Sequence, residues 1–456
     1  MIHSAHREKL NNGPKEQQFT LSGYALANLQ RAIGMPAHPH NVARRLWADR
    51  PQGHEFRGAM MRAVNHHLLL LALCQGLFLT NNVTFIAING LVGLALAPAG
   101  WMATLPVTGY VVGAALSAMP VSHLQARVGR KRAFQIGLLV AALSSALCAY
   151  AVSVQSFWLL VAATVVAGFY SANAALYRFA GPELVAPAYK EQAISLVLAG
   201  GIIGAFAGPN LASATRDLFI APFAGAYLAL VGVALLSLLA LSFIRFPAHV
   251  LPVAGASGGR PVAELLRQPV FFIAVAACSL GYGVMNLLMA ATPIAMQQWQ
   301  LPFDRAALVL EWHVLGMFVP GFFTGKLIKR FGALPVMGVG AALNFACVAV
   351  ALSGVEVMQF LVALFVLGVG WNFLYVGGTT LFTQTYRPEE KTRAQGVMDT
   401  CVFLTMALSS FSSGALITTQ GWTWLNLGSL VPITLVSLAL IWLAFNGAHR
   451  RAQPPG

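Results

Sequence analysis

Twelve apolar runs follow one another along the chain, separated by polar loops in which glycine, proline and basic residues concentrate. They cover 66–92, 101–123, 134–152, 157–178, 192–213 and 222–245, then 270–293, 306–326, 334–354, 358–382, 395–418 and 424–446. A helix of about 20 residues crosses a hydrocarbon layer about 30 Å thick, so each run is long enough to span a membrane. Backbone groups in lipid must find partners within their own segment, so the runs predict helices and not strands. The stretch 246–268, rich in Gly, Pro and Ala, divides them into six and six. The expected fold is an all-α membrane protein with bundles at 63–245 and 269–446 joined by that linker, which carries Arg260, Glu264 and Arg267.

The two halves repeat each other. Arg127-Val-Gly-Arg-Lys-Arg132 follows the second run and Gly325-Lys-Leu-Ile-Lys-Arg-Phe-Gly332 follows the eighth. A shift of 203 residues pairs Arg127 with Arg330 and Gly129 with Gly332, and upstream it pairs Gly113 with Gly316 and Tyr110 with His313. The same loop in both halves marks a duplicated bundle, and duplicated bundles are mostly transporters.

Composition agrees with the membrane and narrows the partners. Charged residues are 9% of the chain and hydrophobic ones 57%, with mean hydropathy +0.70; a soluble domain carries about 25% charge. The net charge of +14 is spread among loops and accompanies no zinc or RNA-binding signature, so no nucleic-acid partner is expected. Basic residues accumulate on the cytoplasmic side, and with the N-terminus inside, cytoplasmic loops and tails hold 26 of the 28. The expected setting is the inner membrane with both termini cytoplasmic. The five cysteines all fall inside apolar runs without paired spacing, which argues against a disulfide or metal site. Residues 1–62 are polar and lack the apolar core of a signal peptide; they read as a disordered extension or as sequence ahead of a start near Met60. Residues 447–456 read as a cytoplasmic tail.

On those loops the chain resembles the major facilitator superfamily, whose second-helix loop runs Gly-x-x-x-Asp-Arg-x-Gly-Arg-Lys/Arg. The second copy fits at Gly325, Arg330 and Gly332 but has Lys329 in place of Asp. The first fits at Arg127, Gly129, Arg130 and Lys131 but has Ser122 for Gly and Ala126 for Asp. The resemblance covers 66–446 and implies two halves that rock around a central site. It also implies that Asp399, at the start of span eleven, pairs with Arg127 or Arg130 as a gate, and that Glu191 does the same for Arg330. The residues alone allow a simpler role, because an acid near a helix N-terminus is favourable by itself.

Polar stripes supply the candidate solute path. Gln75, Asn82 and Asn89 recur every seven residues on span one, a spacing that keeps one helix face. Tyr170, Asn173 and Tyr177 on span four match Asn372, Tyr375 and Thr379 on span ten at an offset of 202. Span seven adds Tyr282 and Asn286, and Trp371 precedes Asn372. Amides facing lipid are unfavourable, so the stripes are expected to face a cavity; bonding between packed helices is the plainer alternative. The resemblance implies the same four helices, one, four, seven and ten, as cavity walls.

Amide, phenol and indole without a deep Arg or carboxylate suit a neutral or amphipathic organic solute and not a phosphate. Glu311 and His313 in span eight are the candidate proton carriers, although two residues apart they point in different directions. Gly204-Ala-Phe-Ala-Gly208-Pro209 resembles a stretch of superfamily antiporters, while Thr164 stands where spacing from Gly168 would put an exporter's Arg. The expectation is a monomeric, proton-coupled transporter without cofactor or metal. Export of drug-like or aromatic compounds is placed ahead of uptake of a small nutrient such as a vitamin-like heterocycle or carboxylate. A transporter-like receptor would normally add a folded soluble domain, and a membrane enzyme would want acids converging at one depth.

Overall fold

The computed structural model describes residues 65–247, 260–387 and 390–446. The expectations for 1–62, for 447–456 and for most of the linker lie outside the described residues. Among the described residues twelve helices are long and apolar enough to cross a membrane. The first half holds α1 (His66–Leu96), α2 (Leu105–Val128), α3 (Arg130–Ser153), α4 (Phe157–Ala174), α5 (Lys190–Thr215) and α6 (Ala224–Ser242). The second holds α7 (Pro269–Gln298), α8 (Phe303–Phe318), α9 (Ala333–Leu352), α10 (Val357–Thr383), α11 (Lys391–Thr419) and α12 (Gly421–Asn446). No strand occurs among the described residues.

Local chemistry sets the ends. Asn65 caps α1: its Oδ1 accepts from the Leu68 N–H at 2.9 Å, while its Nδ2 donates to the Leu184 carbonyl. The span expected unbroken over 306–326 is broken after α8 and resumes as Gly321–Phe331, with Pro320 at the joint. Proline has no N–H to donate and its ring crowds the preceding turn, which the apolar pattern does not register.

The repeat is visible in the backbone. Gly129 has φ +81° and Gly332 φ +92°, both with ψ near 160°, and each ends one helix and starts the next. That region is nearly closed to residues with a Cβ. Gly325, the first residue of the second loop motif, lies within Gly321–Phe331 with open space where a Cβ would go. Gly129→Ala or Gly332→Ala should therefore lose about 1–3 kcal/mol of stability. Gly325→Ala should be neutral or gain about 0.5–1 kcal/mol, by helix propensity. Thermal unfolding in detergent checks both; equal effects at all three positions would refute the assignment.

Packing within the first half depends on small residues. A Cβ at Gly200 would lie 2.1 Å from the Ala72 carbonyl, and one at Gly204 would lie 2.5 Å from the Thr80 nitrogen. Gly204 and Gly208 thus form a seam against α1, which is enough to explain the Gly-x-x-x-Gly-Pro stretch. Between halves, α1 meets α7, α2 meets α11 and α5 meets α8. These contacts gather at the end away from the basic loops. Thr104 Oγ1 donates to the Ser410 carbonyl at 2.6 Å and accepts from the Gly414 N–H, and Phe223 packs edge-on to Phe303. The halves are closed at that end.

Candidate functional site

A cavity of about 320 Å³ lies between the halves and extends toward the end that carries the basic loops. Its volume falls in the range of small-molecule sites, about 300–1,000 Å³. Gln75 and Asn82 from α1, Tyr282 and Asn286 from α7, and Trp371 and Tyr375 from α10 line it. Trp371 and Tyr375 are stacked at 5.2 Å with 11° between their planes, and Tyr282 meets both edge-on at 5.2 and 5.6 Å. Such offset and edge-on arrangements are the favoured geometry of aromatic pairs. The Trp371 indole N–H is buried without a partner. Asn286 spends its amide on packing, donating to the Met406 carbonyl and to the Ser409 and Ser410 hydroxyls.

The other stripe residues lie elsewhere. Asn89 accepts from the Tyr227 hydroxyl on α6. Tyr170 packs edge-on against Phe78 and Tyr177 against Phe134, both within the first-half core. Asn173 donates to the Ala133 carbonyl at 2.7 Å and accepts from Gln125. Asn372 donates to the Met317 carbonyl at 2.7 Å and accepts from Thr324. Thr379 donates to the Tyr375 carbonyl within its own helix. The matched stripes of α4 and α10 are therefore largely helix-to-helix fasteners: Asn173 ties α4 to α3, and Asn372 ties α10 to α8. A stripe defines one helix face but not the neighbour that the face meets.

The gate residues also differ from expectation. Arg130 pairs with Glu183 at 2.8 Å and not with Asp399, and Arg127 is exposed. Asp399 instead lines the cavity, as does Arg178. α11 meets α2 where Thr104 bonds Ser410 and Gly414, and the Arg130 guanidinium is taken by Glu183 of its own half. The Arg330 guanidinium lies over the Phe331 ring at 5.1 Å, and the Glu191 side chain is outside the described residues.

Glu311 accepts from Asn210 of α5 at 3.1 Å, a contact between halves. His313 is fully buried with Nδ1 against the Leu364 carbonyl at 2.7 Å. Among the described residues no cluster suited to a metal ion occurs.

Sequence reasoning missed Arg178. It belongs to the short turn Tyr177–Ala180 beyond α4 and reaches the cavity beside Ser171 and Ala175. The available signal was its place next to the end of the α4 stripe; counting it as a loop charge hid it. With Arg178 and Asp399 present, the cavity is aromatic, amide-bearing and doubly charged, not merely neutral.

Residues 68–310 and 277–456 match the model of the Major Facilitator Superfamily. The chain is 37% identical over 382 residues to the riboflavin transporter RfnT of Brucella anthropi, covering 83% of this chain and 96% of that protein. It is 25% identical over 358 residues to YddS, an uncharacterised MFS-type transporter of Bacillus subtilis, covering 75% of this chain and 82% of that one. Among solved structures, that of the nucleoside transporter NupG superposes with a TM-score of 0.68 at 12% identity, covering 83% of this chain and 100% of that one; this likeness speaks for fold alone. Sequence, fold and cavity thus lead to one family, and the chain belongs to the Major Facilitator Superfamily, as a multi-pass membrane transporter of a small molecule.

Proposed function

We propose that the protein is an uptake permease for a vitamin-like fused heterocycle of the flavin class. The observation that carries this reading is the aromatic wall of Tyr282, Trp371 and Tyr375 beside an unpartnered indole N–H, a surface suited to a flat, polar-edged ring system. The likeness to RfnT along 96% of that protein supports the flavin class, and with it the vitamin-like alternative over the drug-like compounds placed first from sequence. The membrane is the inner one and the basic loops are cytoplasmic, because the described loops with Arg127, Arg130, Lys131, Arg132, Lys326, Lys329 and Arg330 concentrate positive charge at that end. In that orientation the cavity opens inward, and transport proceeds by rocking of the halves around it.

Proteoliposomes containing the protein should accumulate radiolabelled riboflavin saturably, with unlabelled riboflavin competing and nucleosides failing to compete. Uptake no greater than in empty liposomes would refute the reading.

Coupling to a proton falls to Glu311, whose bond to Asn210 joins α8 to α5 and must break when the closed end opens. Glu311→Gln preserves a hydrogen-bonding side chain but cannot carry a proton. It should abolish accumulation driven by a pH gradient while leaving riboflavin counterflow within about twofold of wild type. Equal loss of both activities would assign Glu311 a packing role.

A further inference from the structure

Arg178 and Asp399 stand on opposite halves of the cavity, one on the turn after α4 and one near the start of α11. Among the described residues no ion pair within 4.0 Å joins them, and both line the one cavity. Tyr282 and Tyr375 line the same cavity. Two opposite charges and two rings of the aromatic wall therefore share one cavity. Arg178 has only the face of Phe179 beneath it, at 4.7 Å, and among the described residues neither charged group has a hydrogen-bond partner.

Such a pair has a definite ligand chemistry. A guanidinium only donates hydrogen bonds and a carboxylate only accepts them. Held apart at one side of an aromatic wall, they match an edge that presents an acceptor beside a donor. A ring carbonyl next to a ring N–H is such an edge. Phosphate and carboxylate solutes satisfy Arg178 but are repelled by Asp399, and cations show the reverse.

We infer that the cavity reads the imide edge of its solute: Arg178 donates to a ring carbonyl, Asp399 accepts from the adjacent ring N–H, and the fused rings lie against Trp371 and Tyr375. The inference rests on the flavin-class reading above, and it names the specificity residues of that site. One consequence is directional. The contacts come from both halves, so a bound imide bridges them and favours closure of the open end around the solute.

The test compares riboflavin with 3-methylriboflavin, in which the imide N–H is replaced by N–CH₃ and the rings are otherwise unchanged. Dissociation constants are read from quenching of flavin fluorescence by the purified protein. Wild type should bind the methylated flavin about ten- to a hundredfold more weakly, the usual effect of leaving a charged hydrogen-bonding group unmatched. Asp399→Ala should bind riboflavin as weakly as wild type binds the methyl compound, with less than about threefold discrimination left between the two. Arg178→Leu should weaken both flavins alike, because its carbonyl partner is present in each. Circular dichroism confirms folding, and the wild-type comparison needs no variant.

A role of the pair in gating alone changes transport rates and is blind to N3 methylation. Wild type that binds both flavins equally overturns the inference and leaves the flavin-class reading standing. Asp399→Ala that still discriminates as wild type does overturns the assignment of Asp399. Wild type that binds neither flavin overturns the reading and the inference together.

Discussion

Replacing Trp371 by leucine is expected to weaken riboflavin binding about thirtyfold while leaving the protein folded. Stacking of a nucleobase-like ring on an aromatic side chain contributes about 1–3 kcal/mol by substitution, and 2 kcal/mol corresponds to about a thirtyfold change in Kd. Leucine fills much of the volume that indole leaves, so the α10 environment does not open a large void. It removes the flat surface and the unpartnered N–H together. Tyr375 would lose its stacked neighbour, so Trp371→Phe is the informative companion: it retains the ring and loses only the donor. Trp371→Phe should recover at least half of the lost binding free energy if stacking dominates, and little if the N–H does. Fluorescence-quenching titrations of both variants decide. Wild-type affinity in Trp371→Leu would remove the aromatic wall from the site.

The largest expected effect on stability belongs to Glu390, which faces no solute. Its side chain is fully buried. Glu390 accepts from the Arg260 Nε and Nη2 at 2.8 Å each, from the Arg260 backbone N–H at 2.9 Å and from the Arg387 N–H at 3.0 Å. Arg260 lies in the linker ahead of α7 and Glu390 precedes α11, so the pair clamps the linker to the second half. Hydrogen bonds from Arg260 hold the carboxyl well below the usual carboxylate range against the opposing effect of desolvation, and the Arg387 N–H assists. Breaking one partner of a buried pair costs about 3–5 kcal/mol; with Arg260 a quarter exposed, Glu390→Ala should cost about 3 kcal/mol. A lowered carboxylate stabilises above its unfolded pKa and loses that contribution as pH falls. The gap between wild type and Glu390→Ala should therefore be full at neutral pH and begin to close as pH falls through the ordinary value of 4.5. Thermal unfolding at several pH values measures it; a gap unchanged down to strong acid would point to lost packing instead of lost charge.

Much of the fold was legible because it follows from one physical constraint. Lipid allows only internally bonded segments, so apolar runs are helices whatever surrounds them, and the observed α1, α6 and α9 begin and end within a few residues of the runs. The 203-residue repeat was equally legible, because Gly129 and Gly332 occupy a backbone region that only glycine enters easily. The break at Pro320 was visible as a residue but not as a consequence, since proline in a spanning helix bends or breaks it according to its neighbours.

The sequence by itself thus determined twelve spans, their division into repeated halves, the charge asymmetry and the helix faces that carry polar groups. Only the tertiary structure decided what those faces meet. Asn82 and Asn173 are the same kind of residue on the same kind of stripe, yet one lines the cavity and the other holds α4 to α3. Asp399 could reach several arginines by topology, and it shares the cavity with Arg178 because the halves meet at the other end. Helical periodicity is a property of one segment; an aromatic wall facing a separated charge pair is a property of two halves packed together, which no single segment encodes.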